Sequence, residues 1–276
     1  MILFARTRHL YDSYGDFWTL VVLSGFQIVF VDQVDLKSNN VYITSMVNDE
    51  WRAMVEAQPG RRDAHTILWN LERPLGWAKT LHDYNVRTWM MIGERWFDEV
   101  WVSDRRLAEE SETRFVVLGS HPNLGTPGSI DEKRYDIVHM SYLTNRRQSI
   151  YKHFVPEQIA PNCWGEERDR ALRASRFALN VHQDAHPFQE PLRFALFAAY
   201  GIPILTEEIF DAFPWGTETM VFDKYPNLCG HMAAMLDNRY ERWYQMGQRA
   251  REMMCSQYQF GNVVREAVLQ TTGVRG

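Results

Sequence analysis

Short runs of β-branched and aromatic residues alternate along the chain with segments whose apolar positions recur every three or four residues. That alternation predicts parallel α/β layering. In the first half, strands are expected at Ile2–Ala5, Gln27–Val31, Val41–Met46, His65–Asn70, Glu99–Val102 and Phe115–Leu118. Helices are expected at Asp16–Ser24, which stops before Gly25, at Asp49–Ala57, which stops before Pro59-Gly60, and at Ser103–Glu110. The stretch GSHPNLGTPGSIDEKR, residues 119–134, is dense in turn formers and reads as a linker. Beyond it, strands are expected at Asp136–Met140, Phe177–Val181, Ile202–Leu205 and Met220–Phe222. Helices fill Asn145–Phe154, Gly165–Ala174 and Glu190–Tyr200, and a helical tail starts at Asn227. The expected architecture is α/β with two Rossmann-like domains, 1–130 and 131–276, facing across a cleft, the last helix packing back on the first domain or simply filling a core.

Composition narrows the class. A chain of 276 residues exceeds most single cores and suits two domains of roughly 130 each. A net charge of −5 excludes a globally basic nucleic-acid binder, and 45% hydrophobic residues exclude a disordered chain. No apolar run reaches the ~18 residues of a membrane span, and the start lacks a signal-peptide core, so a cytoplasmic protein is expected. Cys163, Cys229 and Cys255 are widely spaced and form no CxxC pair, which argues against a disulfide framework or a structural zinc site and for small buried apolar residues. No GxGxxG turn follows a strand, which removes nicotinamide and flavin enzymes. Of nine histidines only His182 and His186, with Asp184 between them, lie close together; in a loop that spacing lacks a fixed ligand geometry, so no metal is expected. Ten tryptophans could stack on sugars or bases, although core packing is their commoner use.

The stretch HPFQEPLRFALFAAYGIPILTEE, residues 186–208, carries the candidate chemistry. Helices that begin beyond the carboxyl ends of parallel strands offer unpaired amides and a positive dipole end to an anion. Pro191 suits the first turn, having no N–H to lose. Glu190 cannot contact phosphate favourably, so it either binds hydroxyls such as sugar diols or complements the helix dipole. Asn180 and His182 end a buried strand on the same side, beside this helix start. Arg146 and Arg147 open another helix, where an arginine can fork onto a diphosphate or sit as solvated surface charge.

Residues 135–208 resemble the carboxyl-terminal half of a GT-B glycosyltransferase through YDIVHMSYLTNRR, SRFALNVH and EPLRFALFAAYGIPILTEE; upstream, FDEVWVSDRRLAEE resembles the end of the amino-terminal half. The resemblance implies an enzyme that moves a sugar from a nucleotide-sugar to an acceptor hydroxyl, with the donor held mainly by the second half. It places Arg146 or Arg147 on the diphosphate, Asn180 and His182 along the donor pocket, Glu190 and Arg193 at the charged start of the donor helix, and Trp164-Gly165 against the base. Related families carry a second glutamate in this helix to hold the ribose; here Leu196 and Ala198 occupy the candidate positions. Helix-end amides and arginine stabilise a departing diphosphate without metal or other cofactor, leaving the acceptor to be activated by a base. Asp12, Asp16 and Glu72 follow first-half strands; Asp16, Glu72 and Glu190 are the candidate catalytic carboxylates, with Asp16 the preferred base, and His65 and His121 are weaker choices. Asp16 could equally be a helix cap. A competing reading is an inactive nucleotide- or glycan-binding module. The acceptor is open between a saccharide, a lipid-linked glycan, a protein, a small molecule and modified nucleic acid. Arg61-Arg62, Arg105-Arg106 and the series Arg168, Arg170, Arg173 and Arg176 could present a basic face to the last of these, although Glu166, Glu167 and Asp169 interleave the series.

Overall fold

The computed structural model describes residues 1–8, 15–45, 49–71, 96–163, 165–183, 188–209, 211–237 and 239–273. Asp12, Glu72, Trp164, Asp184 and His186 lie outside them. The chain clusters into two compact units: Met1–Leu118 with Phe260–Gly276, and Gly119–Gln259. The stretch at 119–134 therefore belongs to the second unit from its first residue. Ser120 and Leu124 are buried there, Ser120 Oγ donates to the Ala195 carbonyl, and Arg251 donates to the carbonyls of Pro122 and Gly125. Gly128 lies so close to the Arg173 carbonyl that a Cβ would approach its oxygen to 2.2 Å, so its turn-forming composition reflects close packing.

In the first unit, β1 (Ile2–Arg6), β2 (Gln27–Phe30), β3 (Val41–Thr44), β4 (His65–Asn70), β5 (Glu99–Val102) and β6 (Arg114–Phe115) form one sheet in the order β2-β1-β3-β4-β5-β6, every pair parallel. The helices α1 (Gly15–Leu23), α2 (Asp49–Ala57) and α3 (Arg105–Ser111) connect them. The expected strand at 115–118 shortens to two residues because β6 is an edge strand and its partner β5 ends at Val102, opposite Phe115. Asp104 caps α3 by accepting from the Leu107 amide. One face of the sheet carries Leu3, Tyr42, Leu68 and Val100 against Trp51 and Phe97, which stack at 4.8 Å. Phe4, Phe17 and Trp69 pack with Phe260. Trp51, Trp69 and Trp101 are fully buried, which makes these three indoles core.

In the second unit, β7 (Tyr135–Val138), β8 (Ser175–Asn180), β9 (Ile204–Glu207) and β10 (Met220–Asp223) form a parallel sheet in the order β10-β9-β8-β7. Between them run α4 (Asn145–Tyr151), α5 (Gly165–Arg173) and α6 (Pro191–Ala199). Ile137, Phe177, Leu179 and Leu205 bury one face against Ile150, Tyr151, Leu228 and Met232. Helix α6 is apolar on nearly every side and buried from Phe194 to Ala199; Gly201, in the left-handed region at φ 62°, turns the chain into β9. The helical tail resolves into α7 (Leu228–Asp237), α8 (Tyr240–Glu252), a π-helical turn at Met253–Gln257, and α9 (Phe260–Thr272). Among the described residues no helix is long and apolar enough to cross a membrane.

Candidate functional site

The polar groups gather at the carboxyl ends of β7, β8 and β9, where parallel strands release their chain into loops. Thr144 caps α4, its hydroxyl accepting from the Arg147 amide, and so sets Arg146 and Arg147 in the first turn. Arg146 forks onto Glu207, the last residue of β9, with both Nη–Oε contacts at 2.5 Å. Its Nη1 also donates to the His182 carbonyl at 3.1 Å, and the Tyr225 ring covers the guanidinium at 3.8 Å. Arg147, 2% exposed, donates from Nε to the Val181 carbonyl, from Nη1 to the Tyr142 carbonyl and from Nη2 to Glu190 Oε1 at 3.4 Å.

Glu190 stands at the N-cap position of α6, with Pro191 as first helical residue, one position later than the expected start. Its carboxylate does not cap the helix; it lies between Arg147 and Arg193, and Arg193 Nη1 donates to Oε2. The same Nη1 donates to Asn180 Oδ1 at 2.5 Å, while Arg193 Nε donates to the Met140 carbonyl. Asn180 completes its amide by donating to Thr206 Oγ1. The His182 amide donates to Glu207 Oε2 at 2.6 Å, its ring Nε2 lies 3.2 Å from the Glu208 carbonyl, and its Nδ1 lies 4.0 Å from Glu190. Among the described residues, three guanidiniums, Arg146, Arg147 and Arg193, thus face two carboxylates, Glu190 and Glu207.

This constellation stands on a chain whose residues 105–268 match the glycosyl transferase-like family. The chain belongs to that family. Its reaction class is accordingly glycosyl transfer. Over 99% of its length it takes the fold of Anabaena Alr3699/HepE, solved in complex with UDP and glucose, with a TM-score of 0.64, 10% identity and 99% of that chain covered. The same protein in complex with UDP-glucose superposes with a TM-score of 0.62 at 9% identity, again over 99% of both chains. TarM matches with a TM-score of 0.55 at 9% identity, over 86% of this chain and 55% of its own. The fold is GT-B. No curated protein matches by sequence.

Six of the residues expected at the site of this glycosyltransferase-family chain meet in one network: Arg146, Arg147, Asn180, His182, Glu190 and Arg193. Asp16 lies in the first unit, half-buried in the first turn of α1. Glu72 and Trp164 lie outside the described residues. Asn180 and His182, each 1% exposed, join the network differently, Asn180 through its side-chain amide and His182 through its main-chain amide and carbonyl. Sequence reasoning missed Glu207, Thr206, Tyr225 and His139. An acidic pair closing a strand in ILTEE was the available signal for Glu207; none marked Tyr225, which reaches Arg146 from 79 residues away. The expected basic face is compensated locally at four of its arginines: Arg61 pairs with Asp63, Arg106 with Glu110, Arg173 with Glu132 and Arg176 with Asp136.

His139, just beyond β7, stacks on Tyr151 at 4.2 Å. Burial, with Arg147 and Arg193 adding like charge, holds its imidazole down at about 4. Between the ordinary value near 6.5 and about 4, the unfolded chain binds the proton more tightly than the folded one, so stability falls as pH drops through that window. At ~1.4 kcal/mol per pH unit the full contribution is about 3 kcal/mol. Urea denaturation at pH 7.5 and pH 4.5 is expected to show His139→Gln losing less stability on acidification than wild type by most of that amount. Equal losses in the two proteins would remove His139 from the account.

Proposed function

We propose that this chain transfers the sugar of a UDP-sugar to an acceptor hydroxyl without a metal ion, the donor lying at the carboxyl ends of β7, β8 and β9. The observation that carries the reading is the arginine cluster at the amino end of α6, where three guanidiniums meet two carboxylates among the described residues. A departing diphosphate needs such fixed charge and helix-end donors. The UDP and UDP-glucose in the two HepE structures suit a uridine nucleotide. Glu190, held between two guanidiniums, fits a positioning role better than that of a base. Asp16, at the start of α1 beyond β1, is our candidate for activating the acceptor. The acceptor we favour is a saccharide or another neutral hydroxyl compound, since Arg61, Arg106, Arg173 and Arg176, four of the arginines that would face a phosphate backbone, are paired with carboxylates. The three free cysteines suit a reducing, cytoplasmic setting.

Thermal unfolding with nucleoside diphosphates and nucleotide-sugars tests the reading. A ligand at 100 times its Kd adds about 2.7 kcal/mol to the folded state, so UDP and one UDP-sugar are expected to raise the midpoint selectively, and less so in folded Glu190→Ala. Release of UDP from that sugar in the presence of saccharides then establishes turnover. No midpoint shift from any nucleotide would sink the donor site, and binding without UDP release from any acceptor would make the chain a binding module.

A further inference from the structure

The three arginines of the cluster are chemically alike in sequence and differ in what they have left to offer. All three nitrogens of the Arg147 guanidinium are engaged, two by main-chain carbonyls and one by Glu190. Arg146 has both terminal nitrogens on Glu207 and one face of its guanidinium against the Tyr225 ring, and its own carbonyl accepts from the Tyr225 hydroxyl at 2.8 Å. Moving it onto a ligand would strip Glu207 of its counter-ion in a 5% exposed position. Arg193 differs. Nε and Nη1 are held by Met140, Asn180 and Glu190, Nη2 has no partner among the described residues, and the side chain keeps 18% of its surface. A guanidinium anchored by two nitrogens with a third left over is rigid and still able to donate.

We infer that Arg193, through Nη2, is the cation that grips the donor diphosphate, while Arg146 and Arg147 hold the strand ends in place. This rests on the UDP-sugar reading above and refines it, since the turn after β7 was where the resemblance put the phosphate ligand. The division of labour follows from neutralisation. Among the described residues, Glu207 pairs with Arg146 and Glu190 is shared between Arg147 and Arg193, and the donor left open is Arg193 Nη2. Asn180 acquires a role as well: its Oδ1 accepts from Arg193 Nη1 and so helps to hold the guanidinium in place.

The test compares UDP with uridine, by titration followed by NMR, in wild type, Arg193→Gln, Arg193→Lys and the double variant Arg146→Gln/Glu207→Gln. The double variant removes one charge of each sign, so it leaves the net charge of the cluster unchanged. Arg193→Gln is expected to weaken UDP on the order of 10- to 100-fold, as for loss of one charged hydrogen bond, with uridine changed by less than about threefold. Arg193→Lys, which keeps the charge without the fork, is expected to fall between the two and remain folded. The double variant is expected to keep the wild-type ratio of UDP to uridine affinity even where both weaken. Arg193→Gln binding UDP as tightly as wild type, or losing UDP and uridine in equal proportion, would overturn the assignment, as would loss of the ratio in the double variant. Wild type that binds no UDP would instead overturn the donor reading, and this refinement with it.

Discussion

Glu207→Ala is expected to cost the second unit about 3 kcal/mol or more, because it strips a buried ion pair of one partner. The Glu207 carboxylate accepts three hydrogen bonds, two from Arg146 and one from the His182 amide, and it closes the last residue of β9. Alanine removes the carboxylate that pairs with the guanidinium beneath the Tyr225 ring and that accepts from the His182 amide. An orphaned buried donor alone costs about 1–3 kcal/mol. Arg146 retains 22% exposure, so water recovers part of its solvation and the figure belongs at the lower end of the 3–5 kcal/mol range seen for broken buried pairs. Glu207→Gln keeps an acceptor for the amide and should lose clearly less. Urea denaturation of the three proteins at neutral pH decides the matter: a loss below about 1 kcal/mol for alanine would mean that the clamp contributes little.

Phe260→Ala should be at least as damaging, at about 3–5 kcal/mol, for an apolar reason. Its ring is fully buried, stacked on Trp69 at 5.6 Å and meeting the rings of Phe4, Phe17 and Phe26. Truncation would leave a cavity among large rigid aromatics that relax poorly. Leu269→Ala on the same helix is the control, since Leu269 is 39% exposed and should change stability by roughly 0.5 kcal/mol or less. Thermal unfolding followed by tryptophan fluorescence gives the comparison. If Phe260→Ala cost no more than Leu269→Ala, the carboxyl-terminal helix would not be part of the first unit's core.

Local patterns carried much of the fold. His65–Asn70 and Glu99–Val102 are strands with the residues expected, and Asp49–Ala57 is the expected helix, because each is a run of uniform periodicity closed by punctuation on both sides. The same kind of reading brought Asn180, His182, Glu190, Arg193, Arg146 and Arg147 forward, since polar residues at the ends of buried strands and the starts of helices converge in parallel α/β sheets. Their partners were illegible. Arg146 meets Glu207 across 61 residues and Tyr225 across 79, separations over which no periodicity in the chain carries information.

By itself, then, the order of residues determined the α/β class, the parallel layering, most element positions and which polar residues would crowd one end of the second sheet, because backbone propensity and burial period act over a few residues at a time. Only the tertiary structure decided which arginine is neutralised and which retains an open nitrogen, that residues 119–134 pack as part of the second unit, and that Phe260 completes the first unit's aromatic core. Those outcomes depend on charge pairing and close packing between segments distant in sequence. Such interactions exist only once the sheet register has brought the segments together.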